Sequence, residues 1–144
     1  QLMTFYKDSV LNLRIRMPIN DKLDPRNFIT KILNYEYICS IPNSMTVLDD
    51  LLPCAIKMAI NKETGTINLT NPGVITHNEI LEMYSNIIDP SLQWKNFTIE
   101  QQDKVLAAGR SNNCLDTTKL QSKFPNILHI KESVKQTIMR MKKK

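Results

Sequence analysis

The sequence predicts an α/β fold in which a few short strands are flanked by helices. Residues 10–17 alternate between apolar and polar side chains, which predicts a strand. Two capping boxes, Thr76 with Glu79 and Thr98 with Gln101, predict the first turns of two helices. The 144 residues include only 3 glycines and contain neither a G-x-G-x-x-G nor a G-x-x-x-x-G-K-[ST] motif, so a complete dinucleotide-binding or P-loop domain is excluded.

Proline positions and apolar spacing define the elements in the first half of the chain. Pro18 is expected to end the first strand. The following elements are a loop at 20–26, a helix at 27–35, a short strand at 37–41 and a helix within 47–60. We expect the last of these to begin near Asp49 or Asp50, because a proline in a helix interior costs about 3 kcal/mol and Pro53 would then lie in the first turn.

Turn residues and caps divide the second half of the chain. The predicted elements are a strand at 66–70, a turn at 71–73, a helix from 77 to about 88 and an extended segment at 94–97. A helix from 98 to about 107 follows, and Gly109 ends it. Asp116 caps a short helix that runs through 122, and a final amphipathic helix follows Pro125. No internal repeat is present. The strands are few and short, which is typical of part of a sheet.

Charge and composition favour neither a nucleic-acid nor a membrane partner. The formal net charge is +5, and Lys142, Lys143 and Lys144 supply three of these charges. The other basic residues are dispersed and only 6% of residues are aromatic, unlike the basic, aromatic-lined grooves of single-strand binders. No apolar run reaches the roughly 18–20 residues that a membrane span needs.

The cysteines indicate a reducing compartment. Cys39, Cys54 and Cys114 are odd in number and widely spaced, and only His77 and His129 could join them as metal ligands. We therefore expect reduced thiols, a cytoplasmic protein and no metal site.

Several blocks of the sequence resemble one known family. They are RIRMPI at 14–19, NFITKI at 27–32, IPNSMTVLD at 41–49, NPGV at 71–74, HNEILEMY at 77–84, RSNN at 110–113, LD at 115–116 and KL at 119–120. With these blocks the chain is similar to the bifunctional UDP-4-keto-6-deoxyglucose 3,5-epimerase/4-reductases, which complete UDP-L-rhamnose synthesis in plants and in some giant DNA viruses. Frequent Asn and Ile with few Gly favour the viral branch.

The resemblance implies a Rossmann-type, extended short-chain dehydrogenase/reductase fold. Residues 1–144 would form its single C-terminal, substrate-binding part, and the chain, which begins with Gln1, is expected to be a piece of a longer protein. The N-terminal NADP-binding half, with the Gly-rich fingerprint, the Tyr-x-x-x-Lys pair and a catalytic cysteine, would lie upstream. The resemblance also implies a UDP-sugar substrate, NADPH in the intact enzyme and compatibility with a homodimer, and the piece alone is expected to be inactive.

The resemblance implies a catalytic role for Lys31 and substrate contacts for Asn27 and Arg110. Lys31 matches the proton donor that works against the upstream cysteine in epimerisation, and a lysine in a cleft can be tuned for that task. Arg110 matches an arginine that binds the substrate diphosphate through paired hydrogen bonds, and Asn27 is expected to donate to the nucleotide-sugar. The residues alone leave plainer alternatives open, namely a solvated lysine, an arginine at a helix C-terminus and a helix N-cap.

The segment after the first strand is expected to face the cofactor. In this superfamily it passes beside the nicotinamide ring and the sugar, as ligands bind at the carboxyl ends of strands. Met17 is expected to contact the substrate, with a purely core role as the alternative. Pro18 and Ile19 are expected to contact the cofactor, and Arg16 to serve the cofactor, the substrate or a salt bridge.

Two other functions remain open at the level of sequence. One is a non-catalytic regulatory or interaction subunit of the same fold, as in the methionine adenosyltransferase regulatory subunit. The other is a basic module that binds nucleic acid or an acidic surface. Retention of Lys31 favours the enzyme, and the dispersed charges give the basic module little support.

Overall fold

Short parallel strands alternate with helices along the chain. The computed structural model describes residues 9–108 and 113–143. Its strands are β1 (Leu11–Arg14), β2 (Pro18–Ile19), β3 (Tyr37–Ile38), β4 (Thr46–Val47), β5 (Gly65–Asn68) and β6 (Lys95–Asn96). Its helices are α1 (Phe28–Leu33), α2 (Leu48–Ile60), α3 (His77–Ile87), α4 (Ile99–Ala108), α5 (Thr118–Lys123) and α6 (Ile130–Lys142). The predicted mixture of short strands and flanking helices is confirmed.

The strands form parallel pairs, β1 with β5, β2 with β4 and β3 with β6. The prediction of one strand over 10–17 that Pro18 ends is wrong, because the chain changes its partner inside this segment. The ladder with β5 ends at Arg14, Met17 adopts a left-handed φ of 46°, and Pro18 starts the pairing with β4. A proline is tolerated at the first residue of such a strand because no ladder hydrogen bond needs its missing N–H.

Helix α2 begins earlier than the sequence predicts. Its first residue is Leu48, so Pro53 lies in the second turn and the prediction of a first-turn proline is wrong. Val47 is the N-cap residue, and no side chain caps the helix there. The N–H of Val47 donates instead to Asn71 Oδ1 at 2.9 Å. Asp49 and Asp50 still lie in the first turn, near the positive end of the helix dipole.

The capping boxes form as the sequence predicts. Thr76 Oγ1 accepts from the N–H of Glu79 at 3.1 Å, and the N–H of Thr76 donates to Glu79 Oε1 at 3.0 Å. Thr98 and Gln101 make the same reciprocal pair at the start of α4. Gly109, predicted to end α4, lies outside the described residues. The start of each helix is thus marked by a capping box of side chains close together in the sequence.

Two apolar clusters form the core. The first joins β2, α1, β4, α3 and α6 through fully buried side chains, which include Ile19, Ile29, Ile32, Met45, Val47, Ile80, Ile130 and Ile138. The second lies between α2, β5 and α5 and includes Leu51, Met58, Ile67 and Leu120. Helix α1 packs on both β2 and α3, so the first cluster fixes this helix.

Within residues 9–108 and 113–143, no helix is long and apolar enough to span a membrane. The same residues contain no group of three or more His, Cys, Asp or Glu side chains arranged to bind a metal ion.

Candidate functional site

The junction between β1 and β2 carries strained backbone at the carboxyl end of a parallel strand. Met17 has a φ of 46°, a conformation that is uncommon for any residue with a Cβ and that collects at functional sites. Its side chain is half-buried against the first core cluster. Ligands of open α/β sheets bind at such strand ends, so this junction is a candidate ligand surface.

Arg16 is held on this junction by two side chains from the segment before α2. Its guanidinium donates to Asn43 Oδ1 at 2.7 Å, and its backbone N–H donates to Thr46 Oγ1 at 3.1 Å. The Thr46 hydroxyl in turn donates to the carbonyl of Leu69 at 2.7 Å. Thr46 therefore joins the end of β1 to the end of β5, and Arg16 lies at a fixed place beside them.

The two residues after Met17 differ in what they can touch. Pro18 is half-buried, whereas the Ile19 side chain is 0% exposed and packs in the core. A ligand at this surface would meet Met17 and Pro18. Ile19 packs in the core beneath this surface and would not contact the ligand.

Asn27 caps α1 and uses its whole side chain to do so. Its Oδ1 accepts from the N–H groups of Ile29 and Asn20, each at 3.2 Å. Its Nδ2 donates to the carbonyls of Asn20 at 2.9 Å and Lys22 at 2.8 Å. The amide is 2% exposed, so a hydrogen bond from Asn27 to a ligand requires the release of one of these carbonyls.

Lys31 lies in the last turn of α1 with its side chain exposed. Among the residues that the structure describes, no acceptor or carboxylate lies within bonding distance of its ammonium. The helix that carries it is fixed by Asn27 at one end and by the buried side chains of Phe28, Ile29 and Ile32 on its inner face. The arrangement presents an exposed ammonium on a helix that is held at its N-terminus and along its inner face.

Arg110, the expected diphosphate ligand, lies outside the described residues. The described chain resumes at Asn113, whose carbonyl accepts from the N–H of Ser44 at 2.7 Å, and the N–H of Leu115 donates to Ser44 Oγ at 2.8 Å. The segment from Asn113 to Leu115 is thus anchored on Ser44, next to Asn43, which binds Arg16.

Known proteins with similar sequences and structures indicate what this site is related to. No protein-family model matches the chain. It is 57% identical over 138 residues to the bifunctional dTDP-4-dehydrorhamnose 3,5-epimerase/dTDP-4-dehydrorhamnose reductase of Arabidopsis thaliana. The crystal structure of the L780 UDP-rhamnose synthase from Acanthamoeba polyphaga mimivirus matches 97% of this chain at 54% identity, with a TM-score of 0.90. Over almost its whole length the chain is therefore similar to a UDP-rhamnose synthase and to a rhamnose-forming epimerase/reductase.

The family resemblance that the motifs indicated is therefore confirmed. The chain spans about half the length of these relatives, 46% of the Arabidopsis protein and 49% of the mimivirus synthase. It also matches the trifunctional UDP-glucose 4,6-dehydratase/UDP-4-keto-6-deoxy-D-glucose 3,5-epimerase/UDP-4-keto-L-rhamnose-reductase RHM2 of Arabidopsis thaliana, at 58% identity over 128 residues and 19% of that protein.

Sequence reasoning did not single out the polar residues that organise the site of this UDP-rhamnose synthase homologue. Asn43 and Thr46 position Arg16 from a distance of about 30 residues along the chain, and His77 packs against the first residue of α1. The sequence marks His77 as a possible metal ligand and as part of a family block at 77–84, but neither signal predicts its contact with Phe28. Asn43 and Thr46 lie inside a block typical of the family, which was the one signal that pointed to them.

Proposed function

We propose that the chain is the C-terminal, substrate-binding part of a cytoplasmic UDP-4-keto-6-deoxyglucose 3,5-epimerase/4-reductase of Rossmann type, and that Lys31 is its proton donor. The observation that carries the proposal is the exposed Lys31 ammonium, without a bonding partner among the described residues, on a helix whose N-terminus is fixed by Asn27. The identity of 54–58% to a UDP-rhamnose synthase and to 3,5-epimerase/reductases of rhamnose synthesis supports the reaction class.

The proposed chemistry needs an acid and a base on opposite faces of the sugar. The carbons at positions 3 and 5 flank the ketone, so a base can remove a proton from either and leave an enolate. Inversion requires a proton from the other face. Lys31 would deliver that proton and stabilise the enolate charge before transfer. The base would be a cysteine in the other half of the enzyme.

The reductase step implies NADPH, and the β1–β2 junction suits one wall of its site. Met17 and Pro18 are half-buried at the carboxyl end of β1, where they would meet the nicotinamide ring, and Arg16 would supply a cation beside it. When bound, NADPH provides the hydride that reduces the ketone. The sequence has no Gly-rich loop for the pyrophosphate, so this chain would contribute only part of the cofactor site and would be inactive alone.

The substrate would be a UDP-sugar, bound through its diphosphate by Arg110. A guanidinium makes paired, charge-assisted hydrogen bonds to phosphate oxygens. Met17 would contact the sugar from the strand end. Asn27 would fix the position of Lys31 because it caps α1. Its amide would donate to the nucleotide-sugar only after it releases the carbonyl of Asn20 or Lys22.

The proposal is tested with Lys31→Ala in the full-length enzyme, incubated with UDP-4-keto-6-deoxyglucose in D2O. Lys22→Ala is the matched control, because Lys22 is an exposed lysine in the loop before the same helix. We expect Lys31→Ala to slow inversion at positions 3 and 5 by about 100-fold or more, the usual contribution of a positioned acid. Reduction of supplied UDP-4-keto-L-rhamnose by NADPH should persist.

Two results would overturn the assignment. Normal inversion and deuterium exchange in Lys31→Ala would exclude Lys31 as the proton donor. A full-length wild-type enzyme that neither inverts the sugar nor oxidises NADPH would exclude the function itself.

A further inference from the structure

A groove separates the C-terminal ends of α3 and α6. The two helices run side by side in the same direction, since Glu79 in the first turn of α3 lies 2.9 Å from the ammonium of Lys131 in the first turn of α6. At the other end they leave a groove of about 630 Å³. It is lined by Asn86, Ile87, Lys135, Met139, Lys142 and Lys143.

The groove combines an apolar floor with a cationic rim. Ile87 is half-buried and the Met139 side chain is 46% exposed, so both present apolar surface to the groove. Lys135, Lys142 and Lys143 are exposed, and in the described part of the chain none of them has a carboxylate within 4.0 Å. Lys131, one turn earlier on the same face as Lys135, is neutralised by Glu79.

Helix dipoles account for only part of this arrangement. Lys142 and Lys143 lie at the negative, C-terminal end of α6, where cations stabilise a helix, whereas Lys135 lies in the middle of α6. That role needs neither a concave surface nor exposed methionine. An apolar strip flanked by cations is instead typical of sites that bind amphipathic helices in a groove, and a methionine adapts to varied apolar partners.

We propose that this groove binds an acidic, amphipathic peptide segment of a partner protein. Charge complementarity selects an anionic ligand, because the three lysines that surround the floor have no carboxylate partner among the described residues. Ile87 and Met139 select apolar side chains on one face of that ligand. The lining has no aromatic residue on which nucleic-acid bases could stack, and a concave groove suits a protein segment better than a flat lipid surface.

The test uses full-length protein and two fluorescent helical peptides of about 15 residues, long enough for partial helicity in water. One carries Leu at every third or fourth position with Glu between, and the other carries Gln in place of each Glu. We expect the Glu peptide to bind with an affinity that falls as salt rises. The double variant Lys135→Gln/Lys142→Gln and the single variant Met139→Gln should each weaken binding by about tenfold, whereas Lys104→Gln, an exposed lysine on α4, should not.

Several outcomes would overturn the proposal. They are equal binding of the Glu and Gln peptides, equal binding by the groove variants and the Lys104→Gln control, or no binding of the Glu peptide. Preferential binding of phosphatidylserine vesicles or of an oligothymidylate, abolished by Lys135→Gln/Lys142→Gln, would replace it with a lipid or nucleic-acid site. The inference does not depend on the proposed enzymatic function, since peptide binding is measured without substrate or NADPH.

Discussion

The ring of His77 lies edge-on against the ring of Phe28, with 5.2 Å between the ring centroids and 71° between the ring planes. His77 is the first residue of α3 and Phe28 is the first residue of α1. The contact therefore joins the N-terminal turn of α3 to the helix that carries Lys31. In the described part of the chain, the buried Nδ1 of His77 has no hydrogen-bond partner, so the neutral ring is the form that suits this site.

His77 is expected to make stability depend on pH near neutrality. Burial lowers the pKa of His77 below its ordinary value of 6.5. Below pH 6.5 the unfolded chain therefore binds more protons than the folded chain, and the free energy of unfolding falls as the pH drops. His77→Phe keeps an aromatic contact and removes the titration, so denaturant unfolding should show a smaller loss between about pH 7.5 and 5.5 in this variant.

The control is Asn126→Gln, because Asn126 is exposed and does not titrate, and this variant should keep the wild-type slope. The titration of Glu79 does not contribute to the slope in this pH range. The hydrogen bond from Lys131 lowers the pKa of Glu79 below its ordinary 4.5, so its contribution to stability is lost only in stronger acid. Identical pH slopes in wild type and His77→Phe would contradict the prediction.

Asn27 is expected to stabilise the fold through its donors as well as through its cap. Asn27→Ala removes the acceptor for Ile29 and the donor for the carbonyls of Asn20 and Lys22, and it should lower the free energy of unfolding by about 2 kcal/mol. Asp is as good an N-cap as Asn, but its carboxylate would face those two carbonyls. Asn27→Asp should therefore destabilise the fold about as much as Asn27→Ala in urea unfolding, whereas a near-neutral Asp variant would show that capping alone matters.

Local signals carried most of the secondary structure, and contacts distant in sequence account for the errors. Thr76 and Glu79 lie three residues apart, so their capping box can be predicted from the chain itself. The change of partner at Met17 depends on Thr46 in β4, and no periodicity in residues 10–17 contains that information. The early start of α2 has the same cause, since Asn71 holds the N–H of Val47.

The candidate site divides in a similar way. Side-chain chemistry predicts that Asn27 can cap α1, and the structure confirms this cap. Only the family motif predicts a catalytic role for Lys31, because an exposed lysine on a helix carries no chemical signal by itself. Asn43 was not identified, because its bond to the Arg16 guanidinium forms only after β2 pairs with β4.

Gly73 is expected to resist substitution more strongly than Gly65. Both adopt left-handed backbone, with φ of 86° and 99°, so alanine strains either position by about 1 kcal/mol. A Cβ at Gly65 would meet nothing within 4 Å, whereas a Cβ at Gly73 would overlap the His129 ring. Thermal unfolding should show a larger loss for Gly73→Ala than for Gly65→Ala, and His129→Ala should recover part of the Gly73→Ala loss. Equal losses at the two glycines would show that the ring moves away freely.

Arg140 is expected to brace the loop that leads into α1. Its Nη2 donates to Asp49 Oδ2 at 3.0 Å and to Thr137 Oγ1 at 3.1 Å, and its Nε lies 3.6 Å from Asp21 Oδ2. One guanidinium thus links α6 to the first turn of α2 and to the loop at 20–26. Lysine has a single charged nitrogen and cannot serve both carboxylates with this geometry.

Arg140→Lys should lower the free energy of unfolding by about 1 kcal/mol, the upper range for partly exposed ion pairs, and should speed amide hydrogen exchange in the loop at 20–26. Arg26→Lys is the control, because the Arg26 side chain is 92% exposed beside Asp24 and such a pair contributes little. If both variants exchange at the wild-type rate, the Arg140 contacts do not restrain this loop. Faster exchange in Arg140→Lys only would show that the position of α1, and with it that of Lys31, depends on the C-terminal helix.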